Sequence, residues 1–126
     1  MMATLFFVAL GGAIGAAMRF LMGMGVVRLF GQGEFPIPIL TVNILGSFLM
    51  GVFVVAAAQR GLTDYAPFVM TGVLGGFTTF SAFSLETMTL IERGHFTSAS
   101  VYVLLSVVLS VGGLALGLWL ARSVWA

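Results

Sequence analysis

Cysteine is absent from this chain of 126 residues, and charged side chains make up only 7% of it. Without cysteine, the chain cannot form a disulfide framework, a thiolate metal site or a cysteine nucleophile. The basic residues are scattered singly and the net charge is +1, so no basic stripe is available to bind a nucleic acid. Charged residues make up about a quarter of an ordinary soluble domain. The much lower charged fraction of this chain therefore excludes a soluble domain.

Apolar sequence is what the chain has in abundance: 60% of its residues are hydrophobic and the mean hydropathy is +1.18. A bilayer core about 30 Å thick is crossed by roughly 20 helical residues. The sequence predicts an all-α membrane protein with four spans, at Thr4–Phe30, Pro36–Ala58, Tyr65–Ile91 and Thr97–Ala121. Short polar connectors predict antiparallel neighbours within one transmembrane domain, residues 1–126. We expect the first span to be retained, because it lacks the basic start and cleavage site of a signal peptide.

Arginines close to the span ends bear on orientation in the bilayer. Arg60 and Arg122 fall on one side, and Arg28 and Arg93 fall on the other. An imbalance of Lys and Arg between short loops sets the orientation of a membrane protein, so this balance predicts dual topology. The alternative is a single orientation set by a small bias from the N-terminal amine or Arg19. Copies inserted both ways could pair as an antiparallel homodimer, with ion sites near the midplane.

Small residues recur at four-residue spacing in three of the predicted spans. This spacing lets helices approach closely in a membrane bundle, and it predicts packing surfaces without indicating a particular function. The residues are Gly11 and Gly15, then Asn43, Ser47 and Gly51, then Gly113 and Gly117.

The stretch "TGVLGGFTTFSAF", residues 71–83, contains the midpoint of the third predicted span at Thr78. Two glycines followed by two β-branched threonines weaken a helix, which predicts a break at mid-membrane. Backbone left unpaired at that depth must be buried in protein or face an ion or water cavity, because a lone carbonyl or amide in lipid costs several kcal/mol. A plain glycine kink that serves helix packing is the alternative.

Polar side chains inside the spans could form a track of hydrogen-bond donors. Asn43 is the strongest of them, because its own helix cannot satisfy its two amide donors. A serine or threonine hydroxyl can instead bond the carbonyl four residues earlier, and this alternative stays open. The hydroxyl residues of the track are Ser81, Ser84, Thr87, Ser106 and Ser110.

The charges within the spans favour an anion. Arg19 is the only cation deep in a predicted span, although snorkelling to the surface is the alternative. Glu86 lies nearer an interface, where it can snorkel or pair with a buried cation. No carboxylate lies at mid-span, which leaves an exporter of organic cations without a place to hold its substrate.

Phe80 and Phe83 share one helical face beside the predicted break. The edges of aromatic rings carry partial positive charge and can attract an anion, while conduction requires sites weak enough for the ion to leave. Ordinary packing in the core or against lipid is the alternative in a chain with 12 phenylalanines.

Three blocks in order, "GGAIGAAMRF", "TVNILGSFLMG" and "GVLGGFTTFSAFSLE", resemble the signature blocks of the Fluc/CrcB fluoride channel family. The resemblance covers the whole chain in length, span number and motif order. It implies a passive fluoride channel and no enzyme, acting in a bacterial inner membrane as a dual-topology homodimer with two pores and one structural sodium ion. A small dual-topology multidrug exporter and a non-transporting assembly subunit are the alternatives.

The resemblance also implies roles for individual residues. The carbonyls of Gly75 and Thr78 match the positions that hold sodium in that family. Ala82 stands where a small hydroxyl residue is frequent, so one donor is missing there. Together with the residues indicated by the polar pattern, the candidate pore-lining set is Arg19, Asn43, Phe80, Ser81, Phe83, Ser84, Glu86, Ser106 and Ser110.

Overall fold

The computed structural model describes residues 1–125, which are helical with short connectors and without a β-strand. Four helical stretches in this range are long and apolar enough to cross a membrane: Met2–Phe30 (α1), Ile37–Arg60 (α2), the third span Thr63–Glu92, and Phe96–Trp125 (α5). The predicted all-α, four-span architecture is therefore confirmed. The largest difference is at the last helix, which passes Ala121 and continues to Trp125 because Arg122 and Ser123 are compatible with a helix.

The third span is composite. A 3₁₀ turn, Thr63–Tyr65, leads into a π-helical segment, Pro67–Leu74, followed by the short helix α3, Gly75–Phe77, and by α4, Phe80–Glu92. Between α3 and α4 the backbone is extended, with φ −86° and ψ 159° at Thr78 and φ −153° and ψ 123° at Thr79.

The break thus lies within the predicted motif, but the threonines form it and the glycines do not. Gly75 keeps helical angles, φ −63° and ψ −38°, and Gly76 lies within α3. The predicted break is present, at the predicted midpoint of the span, Thr78. Extended backbone suits β-branched threonine, and the Thr79 hydroxyl caps α4 by accepting the Ala82 N–H at 3.1 Å.

The glycines instead allow α1 to pack directly against the third span. A Cβ atom on Gly11 would lie 2.6 Å from the Phe68 carbonyl oxygen, and one on Gly76 would lie 2.6 Å from the Gly12 carbonyl oxygen. Gly15 meets the backbone of Val73 in the same way. Any larger residue would push the two backbones apart, so α1 and the third span form a fixed pair.

Glycines also join α2 and α5, the second packed pair. A Cβ on Gly51 would collide with the Leu114 carbonyl, and one on Gly117 would collide with the Phe48 carbonyl. The predicted small-residue contact surfaces are confirmed at these two positions and on α1.

The helix ends agree with successive spans that alternate in direction, because like ends of α2 and α5 lie together. At one end of α2, the Arg60 guanidinium lies 5.9 Å from the ring centre of Trp125. Beyond the other end of α2, His95 Nε2 lies 3.1 Å from Glu34 Oε1, which joins the first and third connectors.

Candidate functional site at the helix break

An open groove of about 420 Å³ runs beside the break, between α2, α4 and α5. It brings together five residues predicted from the sequence: Asn43, Phe80, Phe83, Ser106 and Ser110. Its other lining residues are Gly46, Ser47, Met50, Thr78, Thr79, Val107, Val111 and Leu114. Within residues 1–125, no charged side chain lines this groove, so its polar character comes from neutral amide and hydroxyl groups.

Asn43 holds the break through two hydrogen bonds. Its Nδ2 donates to the Thr79 carbonyl at 3.0 Å, and its Oδ1 accepts the Thr79 N–H at 2.8 Å. Because a backbone N–H can only donate, the atom of Asn43 that faces the Thr79 N–H must be the oxygen, and the atom that faces the Thr79 carbonyl must be the nitrogen. The second Nδ2 hydrogen has no hydrogen-bond partner in the described part of the chain. Asn43 therefore fixes the break and still offers one donor to a ligand in the groove.

Gly46 allows α2 to approach the break. A Cβ at this position would collide with the Thr78 side chain and lie 3.2 Å from Cδ2 of Phe77. We expect Gly46→Ala to lower the free energy of unfolding by about 1–3 kcal/mol, because overpacking would push Thr78 away from α2. Thermal unfolding in detergent checks this, with Gly25→Ala as the control, since a Cβ on Gly25 would meet nothing within 4 Å. Equal midpoints for the two variants would contradict it.

A row of aromatic rings extends from the groove. Ring centres lie 5.4 Å apart for Phe80 and Phe83, 5.2 Å for Phe83 and Tyr102, and 5.7 Å for Tyr102 and Phe35. Sequence reasoning missed Tyr102 and Phe35. The signal for Tyr102 was its position four residues before Ser106, which places it on the same face of α5 as the two groove serines.

Two hydroxyls at this end of the groove lack partners. Tyr102 is fully buried and Ser106 is 7% exposed, yet neither hydroxyl has a hydrogen-bond partner among the described residues. A buried polar group left unpaired costs about 1–3 kcal/mol. Of the two residues only Ser106 lines the groove, so its hydroxyl is the one placed to meet a ligand there.

The break also frees two backbone carbonyls. In a continuous helix, the Gly75 and Thr78 carbonyls would accept from the N–H groups of Thr79 and Ala82. Here the Thr79 N–H donates to Asn43, and the Ala82 N–H donates to the Thr79 hydroxyl. The two carbonyls that the resemblance assigned to sodium thus lose their helical donors. Neutral oxygen ligands of this kind fit a hard cation.

The two charged members of the predicted pore-lining set lie outside the groove of a single chain. Arg19 Nε donates to the Gly76 carbonyl at 3.2 Å, and its side chain borders a different groove that also contains Arg28. Glu86 borders a cleft of about 490 Å³ near the first connector, together with Glu34.

The hydroxyls of α4 mostly bond to their own helix. Ser84 Oγ donates to the Phe80 carbonyl at 3.0 Å, and Thr87 Oγ1 donates to the Phe83 carbonyl at 2.8 Å. Ser81 Oγ lies 3.3 Å from Thr79 Oγ1. The structure therefore brings the α5 serines, Ser106 and Ser110, into the groove and leaves Ser81 and Ser84 exposed on the outer face.

Four apolar helices, a break in the third span and a neutral polar groove define a multi-pass membrane protein with hydrogen-bonding groups inside its apolar layer. Residues 6–118 match the family model described as CrcB-like protein, Camphor Resistance (CrcB). The chain belongs to the CrcB family.

Three relatives carry the name fluoride-specific ion channel FluC. The one from Roseobacter denitrificans is 63% identical over 125 residues, covering 98% of this chain and 99% of the relative. The one from Ruegeria sp. is 61% identical over 124 residues, covering 98% of each chain. The one from Jannaschia sp. is 69% identical over 105 residues, covering 80% of this chain and all of the relative.

Proposed function

We propose that this chain forms a fluoride channel that lets fluoride accumulated in the cytoplasm leave passively. The observation that carries the proposal is the neutral groove, in which the Asn43 amide and the Ser106 hydroxyl lie beside the rings of Phe80 and Phe83. The names of the relatives, which describe a channel and not an enzyme, support the same function.

The groove suits a small, hard anion. Amide and hydroxyl hydrogens replace part of its hydration shell, and the positive ring edges of Phe80 and Phe83 add attraction without a full charge. A fixed cation in the groove would bind fluoride too tightly for rapid conduction, whereas neutral donors release it. An organic cation would require a carboxylate, and none lines the groove in the described chain.

Efflux from liposomes tests the proposal directly. Purified protein in liposomes loaded with potassium fluoride should release fluoride to an external electrode once valinomycin carries the compensating potassium. Liposomes loaded with potassium chloride should retain their anion. Fluoride release no faster than from protein-free liposomes would rule the function out, and uptake of a quaternary ammonium dye would support an exporter instead.

We also propose that the working unit is an antiparallel homodimer in a bacterial inner membrane. The groove is open on one side, and the face beside it leaves Gly75 exposed and Phe80 77% exposed at the level of the break. Unpaired backbone at this depth cannot face lipid. A second copy over this face would close the groove and cover the carbonyls.

The balance of arginines supports insertion in both orientations. A cysteine at Thr63, the first residue of the third span, should be labelled from both sides of the membrane, and the native chain has no cysteine to interfere. Adding Gln32→Lys and Thr97→Lys loads the opposite side with positive charge and should restrict labelling to one side. Labelling of the otherwise unchanged chain from a single side would contradict dual topology.

Sodium on the dimer axis is the third part of the proposal. The Gly75 and Thr78 carbonyls of two copies would face each other, and a bound monovalent cation would offset their mutual repulsion. We expect replacement of sodium by N-methylglucamine to lower the thermal midpoint of the dimer by several degrees and to favour monomer in size-exclusion chromatography. Identical midpoints in the two buffers, at matched ionic strength, would leave the break as a simple structural feature.

A further inference from the structure

Arg19 places a positive charge on the backbone segment that carries the two free carbonyls, at the residue after Gly75 and two before Thr78. Its Nε donates to the carbonyl of Gly76, the residue next to Gly75, at 3.2 Å. The glycine contacts of α1 with the third span bring it there, because Gly12 packs on the backbone of Gly76. Across residues 1–125, no carboxylate lies within ion-pair distance of Arg19. The guanidinium charge beside the break is therefore not neutralised by the chain.

Carbonyl oxygens alone do not distinguish sodium from calcium. The two ions have closely similar radii, and both accept oxygen ligands, including backbone carbonyls. Calcium, with twice the charge, is attracted more strongly by each carbonyl dipole. A carbonyl site that holds sodium therefore needs a further feature if it is to exclude calcium.

A neighbouring positive charge is such a feature, because Coulomb repulsion of a divalent ion is twice that of a monovalent ion at the same place. The Gly76 carbonyl also accepts a hydrogen bond from Arg19. One oxygen fewer is then available to calcium, which takes up to eight oxygen ligands. The four acidic side chains lie elsewhere: Glu34 and Glu86 border the cleft near the first connector, Asp64 lies in the first turn of the third span, and Glu92 is its last residue.

We propose that Arg19 is a specificity determinant of the carbonyl site at the break and restricts it to monovalent cations. This inference rests on the proposed sodium site. It assigns Arg19 to the cation site and not to the anion groove, from which the structure separates its side chain.

Thermal unfolding of the dimer in detergent, measured against sodium and calcium concentration, tests the inference. Sodium should stabilise the unchanged protein and calcium should not. Arg19→Gln should make the dimer responsive to calcium, with a half-maximal concentration at least about tenfold below that of the unchanged protein. Arg19→Lys retains the charge and should still reject calcium. Arg28→Gln, which removes an exposed arginine from the same helix, is the matched control and should behave like the unchanged protein.

The outcomes separate the two proposals. No response of the unchanged protein to sodium removes the cation site itself, and this inference with it. If the unchanged protein responds to sodium but Arg19→Gln still does not respond to calcium, the cation site stands and only the role of Arg19 is overturned. The lack of carboxylates would then suffice to exclude calcium. Should Arg19→Gln fail to fold, Arg19→Met removes the same charge and takes its place, and stabilisation of the unchanged protein by calcium as strong as that by sodium overturns the inference by itself.

Discussion

Replacement of Asn43 by aspartate is expected to slow fluoride efflux by at least about a hundredfold. The side chain keeps its shape and its acceptor for the Thr79 N–H, but it loses the donor to the Thr79 carbonyl and the spare donor to the groove. A carboxylate about 4 Å from the anion would add about 4 kcal/mol of repulsion at an effective dielectric constant of about 20, close to a thousandfold in rate. The fluoride electrode assay in liposomes measures the effect.

Gln59→Glu is the matched control for this variant. It makes the same amide-to-carboxylate change on the same helix, in the exposed last turn of α2 and outside the residues that line the groove. Its efflux should remain within about twofold of the unchanged protein, because surface charges interact weakly with distant sites. Equal efflux from both variants would show that Asn43 does not face the conducted ion.

Phe83→Ile should also reduce efflux by about a hundredfold, equivalent to roughly 3 kcal/mol in the barrier. Phe83 is the central ring of the row, between Phe80 and Tyr102. Isoleucine preserves apolar bulk but has no positive ring edge to attract an anion. The thermal midpoint should fall only modestly, so that loss of flux is separated from loss of fold.

Phe6→Ile controls for the general cost of removing a ring. Phe6 lies near the start of α1, is 61% exposed and is not among the groove residues. Its flux should match that of the unchanged protein. Unaltered flux in Phe83→Ile would return Phe83 to a packing role, the alternative that the sequence left open.

The sequence predicted the spans and much of the groove because those features depend on local pattern. Apolar runs separated by short polar connectors gave the four helices, and the i, i+3 spacing of Phe80 and Phe83 gave one face of α4. Ser106 and Ser110 meet them in the groove because they share a face of α5.

What the sequence could not predict depends on contacts between distant residues. The depth of Arg19 could be read from its position in the span, but its partner is 57 positions away and depends on how α1 packs against the third span. The partner of Asn43, 36 positions away, is set by the approach that Gly46 permits. The helical conformation of Gly76 beside the break likewise depends on a distant contact, its packing against Gly12 of α1.

The hydrogen bonds that complete the break have a consequence for synthesis of the chain. The groups that hold the Gly76 carbonyl and the backbone of Thr79 come from Arg19 and Asn43, which both precede the third span in the sequence. A chain is made from its N-terminus, so α1 and α2 leave the ribosome first. When the interrupted span enters the bilayer, Arg19 and Asn43 are already there, so the Gly76 carbonyl and the backbone of Thr79 can be paired at once. A circular permutation that moved α1 and α2 behind α5 would retain every native contact but would send the break into the membrane alone.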